Sequence, residues 1–245
     1  MTVLLLALSA FVAWLVSTVA GGAGGLLLVP AVRYLLGPRA VAPVLNLGEL
    51  IAGPTRVWLF WRDIRWDIVR WYLPGGIVGA MMGGWVFANT ESEWLTVIVA
   101  LFLISSIVQF WFGQSERSFP MILKAFLPLG FLVALLSGVI GTLGPVLNPF
   151  YLNFGVEKEP MIATKSFNSF VTHFVQVGSY TAFGAMTWQL VGYGIVVGVA
   201  ASLASWIGKR LLHRMSATAF RRAMVVIMAA TGFLMLWQER ELFGL

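Results

Sequence analysis

The sequence predicts an all-α polytopic membrane protein, and three observations support this fold class. Of its 245 residues, 59% are hydrophobic and only 11% are charged, whereas a soluble domain has about a quarter of its residues charged. Two runs, Thr2–Ala20 and Trp94–Phe112, contain no charge, and each is close to the roughly 20 residues that cross a hydrocarbon core. The 26 glycines let membrane helices pack closely. Such a chain cannot cover itself with polar surface, so we expect its solvent to be the lipid bilayer.

Eight apolar segments follow one another with short interruptions, which predicts a single transmembrane domain over residues 1–245. The segments cover residues 2–37, 41–61, 67–88, 94–113, 122–154, 160–183, 188–208 and 219–237. The first and fifth are too long for one crossing and short for two. Small residues and proline interrupt both, in "GGAGGLLLVP" and "GVIGTLGPVLNP". We expect both to be helical hairpins, which allows up to ten crossings in all. The first run lacks a basic start, so we do not expect a cleaved signal peptide.

Two halves of the chain, residues 1–120 and 121–245, share an order of landmarks. Each half contains a broken segment, a segment with an asparagine, a segment that begins with tryptophan and a segment that ends with tryptophan. Matching residues lie 119 to 126 positions apart, namely Gly24 and Gly144, Pro30 and Pro149, Asn46 and Asn168, Trp66 and Trp188, and Trp111 and Trp237. We interpret the halves as a repeat of about 120 residues. The alternative is a chance match in a chain rich in glycine and tryptophan.

The basic residues of the loops indicate how the halves are oriented. If every segment crossed once from an inside N-terminus, 6 Lys and Arg would lie inside and 8 outside, against the positive-inside rule. If both broken segments are hairpins that return to their own side, the count becomes 11 inside and 3 outside. This arrangement makes the halves an inverted repeat, which is typical of secondary transporters. The net charge of +6 therefore reflects topology, and we expect no nucleic-acid partner.

Polar side chains follow one face of a helix in each half, at three- and four-residue steps. Facing lipid they would cost several kcal/mol together, so we expect both faces to point inward. The alternative is that they only join helices or pair with each other, as Glu49 with Arg56. Arg56 is also close enough to the inner end to reach the interface. The second-half face has Lys165, Asn168, Ser169, Thr172, His173 and Gln176, and the first-half face has Asn46, Glu49, Gly53 and Arg56.

The two breaks and the two polar faces together predict an anion site near the membrane midplane. A helix that starts at a break presents free N–H groups and the positive end of its dipole, and Pro145 suits its first turn. Lys165 supplies a counter-charge, whereas Glu49 and His173 are the candidate proton-coupling groups. The candidate substrate-binding residues are Asn46, Asn168, Lys165, Thr164, Ser166, Asn148, Gly24, Gly144, Thr172, Gln176 and Arg56.

The residue types needed for other chemistry are scarce. There is no cysteine, which excludes disulfides and thiolate metal sites. The two histidines belong to no HExxH motif, and His213 lies in the basic stretch "GKRLLHRMSATAFRR", where a headgroup contact is expected. We therefore expect no enzyme activity, no metal and no cofactor.

The stretches "GGAGGLLLVPAVRYLLGPRAVAPVLNLGELIAG" and "SGVIGTLGPVLNPFYLNFGVEKEPMIATKSFNSF" resemble the TauE/SafE family of membrane transporters, also called the sulfite exporter family. The resemblance covers essentially the whole chain. It implies a multi-pass protein of the bacterial inner membrane that moves sulfite, sulfoacetate or another organosulfonate without ATP. Family members often show Thr-Ser in the polar helix, where this chain has Thr164-Lys165-Ser166. The expected partners are a small anion, the bilayer and a further copy of the chain. The alternatives are a passive anion channel and a non-transporting scaffold subunit.

Overall fold

A computed structural model describes residues 1–19, 24–89 and 119–238, and across these ranges the chain is helical without any strand. Short 3₁₀ turns join several of the helices. The expected segment at 94–113, with Trp111, lies outside the described residues. The α-helices are α1 (Thr2–Val19), α2 (Gly24–Leu36), α3 (Val41–Leu59), α4 (Trp66–Asn89), α5 (Phe126–Ile140), α6 (Asn148–Asn153), α7 (Lys158–Ala182), α8 (Trp188–Arg214) and α9 (Ala217–Gln238).

The helix boundaries follow the apolar segments closely, with one difference at the basic stretch after residue 208. Helix α8 continues to Arg214, so the expected loop is helical up to that residue, and Met215 and Ser216 alone separate it from α9. No glycine or proline interrupts residues 209–214, and Leu212 is fully buried. The basic side chains of this last turn also complement the negative end of the helix dipole. The stretch is therefore a helix end with a tight turn.

Both segments that the sequence predicts to be broken are divided in the structure. The first contains α1 and α2, which pack against each other, while residues 20–23 between them lie outside the described residues. In the second, α5 ends at Gly141, whose φ of 119° is a conformation that only glycine adopts readily. A 3₁₀ turn over Gly144–Leu147 follows, with Pro145 in its first positions, and then α6. Pro145 thus lies in the first turn after the break, as the sequence predicts, where a residue without an N–H leaves no donor unpaired.

The long helices pack mostly across the boundary between the two halves of the sequence. Helix α4 lies along α5 and α7, α8 lies along α1 and α3, and α3 also packs on α7. Glycines bring α4 and α5 together, since an added Cβ at Gly75, Gly79 or Gly83 would lie 2.1–2.4 Å from a carbonyl oxygen of α5. A row of small residues four apart is a typical way for membrane helices to pack.

The outer surface of the helices is strongly apolar. Large hydrophobic side chains remain exposed on α1 and α8, such as Leu4, Val12 and Leu203, each more than half exposed. By length and composition, the stretches Leu123–Ile140 and Trp188–Arg214 could each cross a membrane. Polar side chains of α3 and α7 are instead buried in the interior, as the sequence predicts for helices whose solvent is lipid.

Candidate functional site

A cavity lies where the break after α5 meets α1, α3 and α7. It encloses about 40 Å³, which is room for a few water molecules or one small ion. Most of the residues that line it are polar or charged, although it is buried among apolar helices. The lining residues are Ser17, Thr18, Glu49, Arg56, Phe60, Thr142, Gly144, Ile162, Lys165, Ser166 and Ser169. The sequence therefore supplies this wall from both of its halves.

Arg56 is buried at the cavity and does not reach the end of its helix. Its Nη1 lies 3.2 Å from Oε2 of Glu49, and its Nε donates to Oγ of Ser205 at 3.2 Å. Nη2 donates to Oγ of Ser17 at 3.5 Å, and the guanidinium lies 5.9 Å from the ring centre of Trp14. The pairing with Glu49 that the sequence left open is thus present, and the interfacial position is wrong. A buried charge with several partners stays inside because losing those partners is costly.

Lys165 approaches the same cavity from α7. Its Nζ donates to Oδ1 of Asn148 in α6. One turn further, Nδ2 of Asn168 donates to the hydroxyl of Tyr151 at 3.2 Å. Among the described residues, the amide Nδ2 of Asn148 and the amide Oδ1 of Asn168 are buried without a hydrogen-bond partner. Lys165 and Ser166 line the cavity, while Asn148 and Asn168 support it from behind.

A second polar cluster joins α3, α5 and α7 away from the cavity wall. Nδ2 of Asn46 donates to the hydroxyl of Tyr180 at 2.6 Å and to the carbonyl of Ser137 at 3.5 Å. The Tyr180 hydroxyl donates to the carbonyl of Gly138. Nε2 of Gln176 donates to Oγ of Ser137 at 2.7 Å and to the carbonyl of Ala134 at 2.8 Å. Asn46 and Gln176 therefore hold helices together here, and neither lines the cavity.

The remaining predicted site residues also differ in role. Thr164 accepts from the backbone N–H of Arg65 at 3.0 Å and so anchors a loop. Thr172 donates to carbonyls of its own helix. Gly24 packs against α1, since an added Cβ would lie 2.8 Å from Cβ of Ser17. His173 is buried, and within the described part of the chain its Nδ1 has no hydrogen-bond partner. Of the glycines proposed at the breaks, Gly144 alone is among the lining residues given above.

Several lining residues were not singled out from the sequence. Ser17 and Thr18 precede the glycine-rich break directly, and Thr142 lies inside the second break. Their position beside a break is a signal that could have identified them, because non-helical backbone within a membrane is tolerated only where it is buried in protein or lines a cavity. Phe60 closes the cavity at the end of α3, where it is 1% exposed and Nζ of Lys209 lies 5.2 Å from its ring centre. No sequence pattern indicated Phe60.

His213 makes an ion-pair contact at the C-terminal end of α8. Its Nδ1 lies 3.2 Å from Oε1 of Glu159, which also lies 3.8 Å from Nζ of Lys158. The histidine is half exposed, and it is far in sequence from the residues that line the cavity. In the ranges 1–19, 24–89 and 119–238, no three His, Cys, Asp or Glu side chains come together as a metal site.

The sequence was compared with known families, with curated proteins and with solved structures. The profile described as Sulfite exporter TauE/SafE matches residues 6–235, which is nearly the whole chain. The searches of curated proteins and of solved structures gave no match. The family is one of membrane transporters and not of enzymes, and the apolar helices described above agree with that class. The chain therefore belongs to the TauE/SafE sulfite exporter family of integral membrane transport proteins.

Proposed function

We propose that the protein is a secondary transporter of a small sulfur-containing anion, such as sulfite, sulfoacetate or another organosulfonate, and that the cavity is its binding site. The observation that carries this proposal is the burial of two cationic side chains, Arg56 and Lys165, in one polar cavity. They come from opposite halves of the sequence. Glu49 offsets one of these two positive charges, and an anion bound in the cavity would offset the other. Ionisable groups buried within a membrane protein are typical of transport pathways.

The proposed anion would be held by side chains more than by helix dipoles. Lys165 and Arg56 supply the charge, and the hydroxyls of Ser17, Thr142 and Ser166 are donors within the same wall. Helix α6 has only six residues, so its dipole is small compared with a full charge. Of the two sources of attraction that the sequence predicts, helix termini and a cationic side chain, the proposal gives the larger share to the side chains.

The packing of the helices supports an inverted repeat. If α1, α3 and α4 correspond to α5, α7 and α8, each major contact across the halves has a counterpart. The contact of α4 with α5 corresponds to that of α8 with α1, and the contact of α4 with α7 corresponds to that of α8 with α3. Because α3 and α7 correspond to each other, the contact between them is its own counterpart. Together with the loop charges, this symmetry favours a multi-pass protein of the bacterial inner membrane with oppositely oriented halves.

The arrangement of polar groups favours one particular state of an alternating-access cycle. The cavity reaches Phe60 and Ile162, which lie beside the loops 62–70 and 155–160 that are proposed to be inside. The opposite half is occupied by the hydrogen-bonded cluster of Asn46, Ser137, Gln176 and Tyr180. We infer a state whose site lies nearer the inner face and whose outer half is closed.

The proposal is tested with purified protein in lipid vesicles. We expect saturable movement of sulfite or sulfoacetate that Lys165→Met reduces at least about tenfold, the effect of losing about 1.4 kcal/mol of binding free energy. Lys124→Met is the matched control, since Lys124 is exposed in the 3₁₀ turn before α5. No movement of any sulfur anion under any ion gradient would overturn the proposal.

Two outcomes separate the alternatives. Large single-channel currents without saturation would identify a passive channel. A failure of these anions to bind the purified protein, measured as an unchanged melting temperature, would favour a scaffold subunit.

Proton coupling is a separate proposal, and we assign it to His173. The carboxylate of Glu49 already has a partner in Arg56, whereas Nδ1 of His173 has no hydrogen-bond partner among the described residues. His173→Ala is expected to remove the dependence of uptake on a pH gradient, while Glu49→Gln leaves it in place. An unchanged dependence in His173→Ala refutes this assignment.

A further inference from the structure

Glu49 gives the cavity a negative charge that an anion-binding site does not obviously need. Among the residues that the structure describes, the buried acidic and basic side chains are Glu49, Arg56, Lys165 and His173. The first three line the cavity, and His173 is not among its lining residues. These three side chains give the empty cavity one more positive than negative charge.

Burial makes this difference important for selectivity. A net charge left in a low-dielectric interior is costly, so the bound complex is most stable when the charge of the ligand cancels that of its site. A monovalent anion leaves the occupied cavity neutral, whereas a divalent anion leaves one uncompensated negative charge beside the carboxylate of Glu49.

We propose that Glu49, fixed against Arg56, makes the cavity select monovalent sulfur anions over divalent ones. This inference rests on the proposed function and narrows its substrate class to alkylsulfonates and the hydrogensulfite form of sulfite, so that sulfoacetate, a dianion at neutral pH, is disfavoured. Glu49 is a specificity-determining residue in this view. The 3.2 Å contact to Nη1 of Arg56 keeps its carboxylate in the cavity wall. The remaining guanidinium nitrogens are held by Ser205 and Ser17, which leaves Arg56 in place when the charge of Glu49 is removed.

The test uses two tetrahedral anions of similar size that differ in charge, methanesulfonate and sulfate. Their dissociation constants are measured by titration calorimetry on the purified full chain in detergent, at one fixed pH. In the wild type we expect methanesulfonate to bind at least about tenfold more tightly than sulfate. In Glu49→Gln we expect this ratio to fall at least about tenfold, which corresponds to about 1.4 kcal/mol. Sulfate affinity itself rises in this variant.

Two controls separate charge from shape. Glu49→Asp keeps the charge and is expected to keep the preference for methanesulfonate. Glu159→Gln removes a carboxylate that pairs with His213 outside the cavity, and its ratio is expected to equal that of the wild type. Because dianions are intrinsically harder to desolvate, the change of the ratio in Glu49→Gln is the decisive quantity.

Each outcome decides something different. An equal ratio in Glu49→Gln and wild type overturns the inference, and so does a wild type that binds sulfate as tightly as methanesulfonate. If Glu49→Gln does not fold, Ser169→Lys adds a positive charge to the same wall, and its ratio must also move toward sulfate. If the wild type binds neither these anions nor sulfite, the proposed function itself fails. Binding without any response to the charge changes removes only the role of Glu49.

Discussion

The glycine seam between α4 and α5 allows a sharp test of the fold, because Gly79 leaves no room for a side chain. An added Cβ would lie 2.1 Å from the carbonyl oxygen of Phe131 and 2.9 Å from its carbonyl carbon. Ordinary contacts of this kind are about 3.5 Å, so the two helices would have to separate locally by about 1 Å. Both partners at the contact are backbone, and neither can turn aside as a flexible side chain could. Gly79→Ala should therefore destabilise the protein although alanine favours helices.

The expected cost is that of overpacking, about 1–3 kcal/mol. For a chain of this size, it corresponds to a fall in melting temperature of about 2–12 °C. The assay is thermal unfolding of the purified protein in detergent, followed by the loss of helical circular dichroism. Gly178→Ala is the matched control, because nothing lies within 4 Å of a Cβ added there. It should be neutral or stabilise the protein by up to about 1 kcal/mol.

A melting temperature of Gly79→Ala equal to that of Gly178→Ala would contradict the close approach of α4 and α5. Gly75 and Gly83 extend the test along the same seam, with added Cβ atoms 2.1 Å and 2.4 Å from carbonyl oxygens. All three alanine variants should lower stability, since each opens the same helix pair. A loss confined to one of them would indicate a local defect and not a seam.

Three further predictions concern individual hydroxyl groups. Thr142→Val keeps the methyl that packs on Gly25 and should weaken anion binding several-fold without changing the melting temperature; unchanged affinity would place Thr142 outside the site. Thr164→Val should cost about 1 kcal/mol by freeing the backbone N–H of Arg65, with anion affinity intact in the same calorimetric titration. Tyr180→Phe removes the hydroxyl shared by Asn46 and Gly138 and should raise leakage of trapped anion from vesicles. Leakage equal to that of the wild type would argue that this cluster does not close the outer half.

The positions of the helices were largely predictable from the sequence because the bilayer sets their length and apolar character. The segments 41–61 and 160–183 became α3 and α7 within about two residues, an agreement typical of helix ends. The break in the second segment was predictable because Gly141 and Pro145 do not continue a helix readily. In the first segment Pro30 lies inside α2, so the same argument does not hold for that proline. The extension of α8 to Arg214 was missed because basic residues resemble a loop in a hydropathy pattern but are good helix formers.

The inward direction of the polar faces was also predictable, whereas the grouping of their residues was not. Spacing put Lys165, Asn168 and Gln176 on one face of α7, and all three are buried. Lys165 lines the cavity, while Asn168 and Gln176 are engaged by Tyr151 and Ser137. Those partners come from α6 and α5, and no periodicity within one helix indicates which neighbour supplies a hydroxyl. The spacing of polar residues along a helix therefore predicts which way their side chains point, and tertiary packing decides which partners they contact.

Asn46 and Asn168, which match in the proposed repeat, predict one contact of the state in which the outer half of the protein is open. Asn46 now contacts Ser137, on the closed side. Under the proposed repeat, residue 137 corresponds to residue 17 at the offset of 120 that relates Gly144 to Gly24, and Asn168 corresponds to Asn46. If an inverted repeat exchanges the roles of its halves, Asn168 should approach Ser17 when the outer half opens. Ser17 now lines the cavity, so this contact would close it.

Cysteine pairs test this exchange without background, because the chain has no cysteine of its own. Asn46→Cys with Ser137→Cys should form a disulfide that holds the present state, and Ser17→Cys with Asn168→Cys should form one that holds the opposite state. Each pair should abolish transport until a reductant is added, but only the second should expose the outer cluster to a water-soluble reagent. Cross-linking of the first pair together with complete failure of the second, with and without substrate, would show that the halves do not exchange roles. The symmetry would then describe the packing of the helices and not the movement that carries the anion.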